Sequence, residues 1–151
     1  MEKILEVLCF YNGDLERIYF RDYFRDYWNE NFDSSKIILK SFQNTTEGLK
    51  YLEESKNIAL VFSMIKFQVT GVISGRKYIK PTGLDIYSEV KKFNKNLPMI
   101  LADGLLDTAD KNIYNFEKEF ITPNGDKLIN LHSTPPEEVF SIIKQYLNIH
   151  Q

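Results

Sequence analysis

Six polar side chains stand where apolar runs end: Tyr11, Asn12 and Asp14, then Ser63, Asp103 and His132. Runs of that length read as strands, and strand ends on a parallel sheet gather at one edge. Ser63, His132 and either aspartate could form a nucleophile, base and orienting acid there. No G-x-S-x-G elbow surrounds Ser63, and topology alone would place these residues together, so acyl transfer is not the reading they favour. His132 reads as a hydrogen-bonded strand-end histidine, and His150 stands at the chain end. With 2 histidines and the single Cys9, a zinc site is not expected.

Two other groups carry chemistry of a different kind. Lys66, Arg76, Lys77 and Lys80 crowd one polar stretch. They read either as a solvated loop or as a clamp over an anion or an acidic partner. Gly71 and Gly75 precede Arg76 at a spacing one short of a phosphate loop, and no Gly-Lys-Ser/Thr follows a strand. No dinucleotide fingerprint follows the first apolar run. Tyr19, Phe20, Tyr23, Phe24, Tyr27 and Trp28 wind round one helical stretch and cover more than one face. They read as core under neighbouring loops or, through Phe20, Phe24 and Trp28, as a partner surface.

The elements that must position these residues alternate. Ile4–Phe10, Lys36–Phe42, Ile58–Met64, Leu97–Ala102 and Lys127–His132 read as strands. Between them fall helical patterns: Leu15–Trp28, a short one capped by Thr45 or Thr46, and one from Thr82 with a stripe of Leu84, Tyr87, Val90 and Phe93. A fourth starts at Thr108 or Asp110 and carries Ile113, Phe116 and Phe120. The last is capped by Thr134, with proline at its first position and Glu137 behind it. Its apolar face is Val139, Ile142, Ile143, Tyr146 and Leu147. Lys66–Lys80 fits neither pattern and reads as a hairpin excursion or flap. This alternation predicts a three-layer α/β/α domain on a five-stranded parallel sheet.

The 151 residues suffice for one domain, 1–151, with a sizeable core. Apolar residues are 43% and charged residues 26%, which excludes a disordered chain. A net charge of −2 gives no field favouring nucleic acid or an anionic membrane. Cys9 falls in an apolar run and reads as core. No run reaches the roughly 18 apolar residues of a membrane span. No secretion signal is visible, so the cytoplasm is the expected compartment.

Two stretches carry a family resemblance. GLDIYSEVKKFNKNLPMILADG looks like the third helix and fourth strand of a response-regulator receiver domain, and HSTPPEEVFSIIKQYL looks like the start of its last helix. The order of elements resembles that family along nearly the whole chain. The resemblance implies a flavodoxin-like fold with strand order 2-1-3-4-5. A working receiver also needs an acidic pair after strand 1 to hold Mg²⁺ and an acceptor aspartate ending strand 3. A Ser or Thr ends strand 4 and a Lys ends strand 5. At those places this sequence has Tyr11 and Asn12, Ser63, Asp103 and His132, and none of the five is kept. Asn12 and nearby Asp14 offer little charge for a hard cation. The loop after strand 3 is also longer than the family's turn.

The chain thus resembles a pseudo-receiver: not an enzyme, with no cofactor or metal, acting through a protein partner or a homodimer and not through nucleic acid or membrane. Its contact surface would be the first helix, or the face of fourth helix, fifth strand and last helix where family members often dimerise. The alternative is a small-molecule or nucleotide-binding α/β protein, possibly an enzyme, with its pocket under residues 66–80.

Overall fold

Five apolar segments pair side by side, all parallel, because strands buried on both faces need helical crossovers to bring the chain back. In the computed structural model, which describes residues 4–11, 25–65, 72–73, 76–77, 82–103, 115–131 and 133–148, they are β1 (Leu5–Phe10), β2 (Ile37–Phe42), β3 (Ile58–Met64), β6 (Met99–Asp103) and β7 (Lys127–Asn130). Their order is β2-β1-β3-β6-β7, the expected 2-1-3-4-5 once a small inserted hairpin, β4 (Val72–Ile73) and β5 (Arg76–Lys77), is set aside. The three strands β1, β3 and β6 form the centre, with Val7, Leu8, Cys9, Leu60, Val61, Phe62, Met99, Ile100 and Leu101 fully buried.

Helices α1 (Arg25–Asn31), α2 (Thr45–Glu54), α3 (Thr82–Phe93) and α4 (Pro136–Tyr146) cover the sheet, and a π-helical turn spans Glu117–Ile121. The strand period assigns the layers. Glu6 accepts hydrogen bonds from Tyr51 and Ser55 at the end of α2, and Phe10 lies against Gly48 of α2. The even positions of β1 therefore face α2, which packs beside α3. On the opposite face α1 packs beside α4. Trp28, Phe32 and Phe140 meet there, with ring centroids 4.4 to 6.1 Å apart. Lys144, only 9% exposed, reaches Asn31 Oδ1 at 3.1 Å across the same pair.

Several local expectations are corrected. Thr45 and Thr46 do not cap α2: Asn44 does, its side chain accepting from Glu47 N–H at 3.0 Å. The cap position of α4 is Pro135, with no side-chain cap bond, so Thr134 stands outside the helix. In α3 the buried stripe is Gly83, Ile86, Tyr87 and Val90, while Phe93 is 51% exposed. A fixed i, i+3 count drifts off a 3.6-residue helix and left Phe93 on the outside. The helix expected through Phe120 ends in the π turn. That turn rotates Phe120 outward, 44% exposed, and Ile121 inward, 0% exposed. β7 stops at Asn130, short of His132.

Candidate functional site

In a doubly wound sheet the place for chemistry is the carboxyl edge. Five strand ends meet there; among the described residues β1, β2 and β3 end on Phe10, Phe42 and Met64. Ser63, one residue before the end of β3, is fully buried. Its register partners are Phe10 on β1 and Leu101 on β6, and its hydroxyl donates to the Met64 carbonyl at 3.0 Å. Among the described residues, the side-chain partner of this serine is that carbonyl and no base stands beside it. Tyr11 is half-buried and packs against the core. Its N–H donates to Phe42 O at 3.2 Å, extending the β1–β2 ladder by one bond. Asp103 ends β6 opposite Asn130 of β7. Asn130 was missed in the sequence because KLINLH reads as one run; its signal is only the register with Asp103. Asn12, Asp14, His132, Lys66 and Lys80 lie outside the described residues, as do Phe20 and Phe24.

The first turn of α3 closes over the end of β3. Gly83 N–H donates to Ile65 O at 2.9 Å, and a Cβ on Gly83 would overlap the Met64 carbonyl oxygen and Ile65 Cα. Ile65 and Gly83 are thus joined by one hydrogen bond, which makes the residues between β3 and α3 an insertion and not a crossover. Within it, β4 and β5 pair antiparallel, with Ile73 opposite Arg76 and Val72 opposite Lys77. β4 lies against α2 and α3.

Beside the edge, α2 begins with Thr45, whose buried hydroxyl has no hydrogen-bond partner among the described residues. Trp28, expected as part of a partner surface, is 2% exposed and belongs to the core. Its large apolar area is worth more under α4 than in water. A cleft of about 200 Å³ opens between α1 and β2, lined by Arg25, Trp28, Asn29, Ser34 and Ile37–Leu39. It lies beside the sheet's outer strand. Among the described residues, no group of three or more His, Cys, Asp and Glu is arranged to hold a metal. No described helix is long and apolar enough to cross a membrane.

Among the described residues, a dense polar cluster lies at the opposite, amino edge. Asp126 precedes β7 and is 7% exposed. Its carboxylate accepts from the Met99 N–H at 2.8 Å and from the Tyr87 hydroxyl at 2.6 Å. It pairs with Lys91 Nζ at 2.8 Å. Lys91 also donates to Leu97 O at 2.7 Å, and Asn124 donates to the Tyr87 oxygen at 2.9 Å. Burial, then the bond to Asp126, pushes the Tyr87 phenol above its ordinary range. Every one of these groups is partnered, so the cluster ties α3, the π turn, β6 and β7 together and offers nothing to a substrate.

No family model matches the chain, and no curated protein does. Solved structures do. A response regulator receiver domain protein (CheY-like) from Methanospirillum hungatei JF-1 matches with a TM-score of 0.63 and 14% identity, over 97% of this chain and 95% of its own. The signal receiver domain of an HD domain-containing protein from Pseudomonas fluorescens Pf-5 gives 0.62 and 14%, over 97% and 96%. NtrX from Brucella abortus, solved in complex with ADP, gives 0.62 and 15% over 96% of this chain; the match spans 27% of the NtrX chain. Likeness at such identity speaks for the fold. The chain has the flavodoxin-like fold of response-regulator receiver domains, five parallel strands in the order 2-1-3-4-5 with one hairpin inserted after the third.

Proposed function

We propose that this chain is a receiver-like signalling module that works without phosphotransfer, through contact with a protein. One observation carries the reading. Where a receiver's acceptor carboxylate would stand, the chain has Ser63, buried between Phe10 and Leu101 with its hydroxyl given to Met64 O. A carboxylate nucleophile there would need a cation and a lysine to neutralise the phosphoryl oxygens. The sequence has Tyr11, Asn12 and His132 at those places. Without the nucleophile, what such a fold retains is its surface, and the reading is of an adaptor and not an enzyme.

The test is incubation of the whole chain with acetyl phosphate and Mg²⁺, followed by intact-mass measurement. No phosphoryl adduct is expected. Ser63→Asp restores none, because Tyr11 and Asn12 still leave the cation unsupported. A stoichiometric, Mg²⁺-dependent gain of one phosphoryl group on the native chain overturns the proposal.

A further inference from the structure

β2 is an outer strand of the sheet, joined on one side to β1. Its register with β1 is regular over Ile37–Phe42, and it contains no proline. Leu5 N–H donates to Lys36 O, and Tyr11 N–H to Phe42 O. The even-numbered residues of β2 therefore turn their backbone groups to β1, and the odd-numbered ones turn theirs outward. Ile37 is already occupied: its N–H donates to Asp33 O at 2.9 Å, and its carbonyl accepts from the Trp28 indole at 3.5 Å. The N–H and C=O groups of Leu39 and Ser41 have no partner among the described residues. Standing two residues apart, they match the repeat of another extended backbone.

Beside Leu39 lies the cleft between α1 and β2. Its volume of about 200 Å³ falls below the roughly 300 Å³ at which small-molecule pockets begin, so it suits a side chain better than a free ligand. Its apolar lining is Trp28, Ile37 and Leu39, and its polar lining is Arg25, Asn29 and Ser34. Those three polar residues are exposed, and their side chains make no ion pair or hydrogen bond among the described residues. No acid lines the cleft. The Asp33 carboxylate nearby accepts from the Ser35 N–H at 2.9 Å and its hydroxyl at 2.6 Å. Asp26 and Glu30 of α1 are exposed and are not part of the lining.

We propose that β2 takes an extended segment of a partner protein as an added strand, hydrogen-bonded to Leu39 and Ser41, with an acidic side chain of that segment entering the cleft to meet Arg25. This names the partner's chemistry within the function proposed above and rests on that reading. Side chains of an added strand alternate between the two faces, so the residue beside Leu39 points, as Leu39 does, to the α1 side. Main-chain bonds give such a contact its affinity, and the pocket for one side chain gives it selectivity. A carboxylate accepting from a guanidinium makes charge-assisted bonds, the strong kind.

Selection of short random peptides against the immobilised full chain tests this. The expected winners carry Asp or Glu among β-branched residues. Their binding is then measured by fluorescence polarisation. N-methylation of alternate peptide amides should weaken it about tenfold or more in the phase that faces β2, and leave it unchanged in the other phase. Arg25→Glu should weaken it about tenfold or more. Lys50→Glu, an identical change in charge at an exposed position of α2, should not. Circular dichroism confirms that each variant is folded. The proposal is overturned if no peptide is selected, if the two methylation phases act equally, or if the two charge reversals do. Self-association in sedimentation velocity that Ser41→Pro abolishes also overturns it, since a second copy would then occupy the edge. None of these results touches the acetyl phosphate outcome, so the two proposals fail separately.

Discussion

Thr45 shows how a single group can work against its own fold. Its hydroxyl is fully buried at the start of α2 without a hydrogen-bond partner among the described residues, and leaving such a group unbonded costs about 1–3 kcal/mol. Thr45→Val keeps the shape and removes the polar atom. The expected outcome is a gain of about 1 kcal/mol in chemical denaturation; a loss of stability would mean that the hydroxyl has a partner after all. Ser63 is the contrasting case, equally buried but bonded to Met64 O. Glu6 is a third, a carboxylate in β1 made tolerable by hydroxyls of Tyr51 at 2.6 Å and Ser55 at 2.7 Å. Burial of Tyr51, then the bond to Glu6, pushes the Tyr51 phenol up. Each of these residues is polar in the sequence and was open to a functional reading. Its partners, not its type, decide the matter.

At the scale of elements, the join between β3 and α3 explains how the fold accepts an insertion. The chain returns to within one hydrogen bond of where it left, so loop closure is the main cost of the added residues, and that cost grows slowly with length. The join needs Gly83 for space and not for conformation, since its neighbours are backbone atoms of Met64 and Ile65. Alanine is the better helix former by about 1 kcal/mol. Gly83→Ala should nevertheless destabilise by about 1–3 kcal/mol, because rigid backbone cannot move aside. Gly48→Ala, where the obstacle is the far end of the Phe10 ring, should cost less. A thermal melt of the two variants checks this; a stabilised Gly83→Ala would show that α3 can lift from β3. The π turn at Glu117–Ile121 is a second local device. It turns Ile121 into the core and sends the Phe120 carbonyl to the Tyr87 hydroxyl at 3.2 Å.

For the whole molecule, the amino-edge cluster sets a pH limit on the fold. Tyr87 is held protonated above its ordinary range by burial and by Asp126. Tyr146 is pushed the same way by burial, then Asp126. A phenol whose folded pKa lies above its unfolded value of about 10 holds its proton more tightly in the fold. Its contribution is complete below that pH and falls away as pH rises through the folded value. Melting temperature should be flat from neutral pH to about 10 and drop beyond it. Tyr87→Phe should melt lower at pH 7, having lost its bonds to Asp126 and Phe120, and fall less steeply above pH 10. An unchanged slope would assign the alkaline limit to other groups.

The sequence alone determined the class of fold. Five apolar runs separated by helical patterns leave few ways to bury both faces of a sheet, and β3 runs over the very residues its apolar stretch spans. Through Tyr11, Asn12, Ser63 and His132 it also raised the expectation, carried into the proposed function, that the carboxyl edge does no phosphotransfer. Periodicity could not reach the rest. Whether Trp28 met water or Phe140 depended on a helix more than a hundred residues away in the chain. Asp126 became the centre of a network only when α3, β6 and β7 converged on it. The segment between β3 and α3 became an insertion only when Gly83 came back to Ile65. Local pattern reports which face of an element is apolar; it carries no information about which distant element will cover that face.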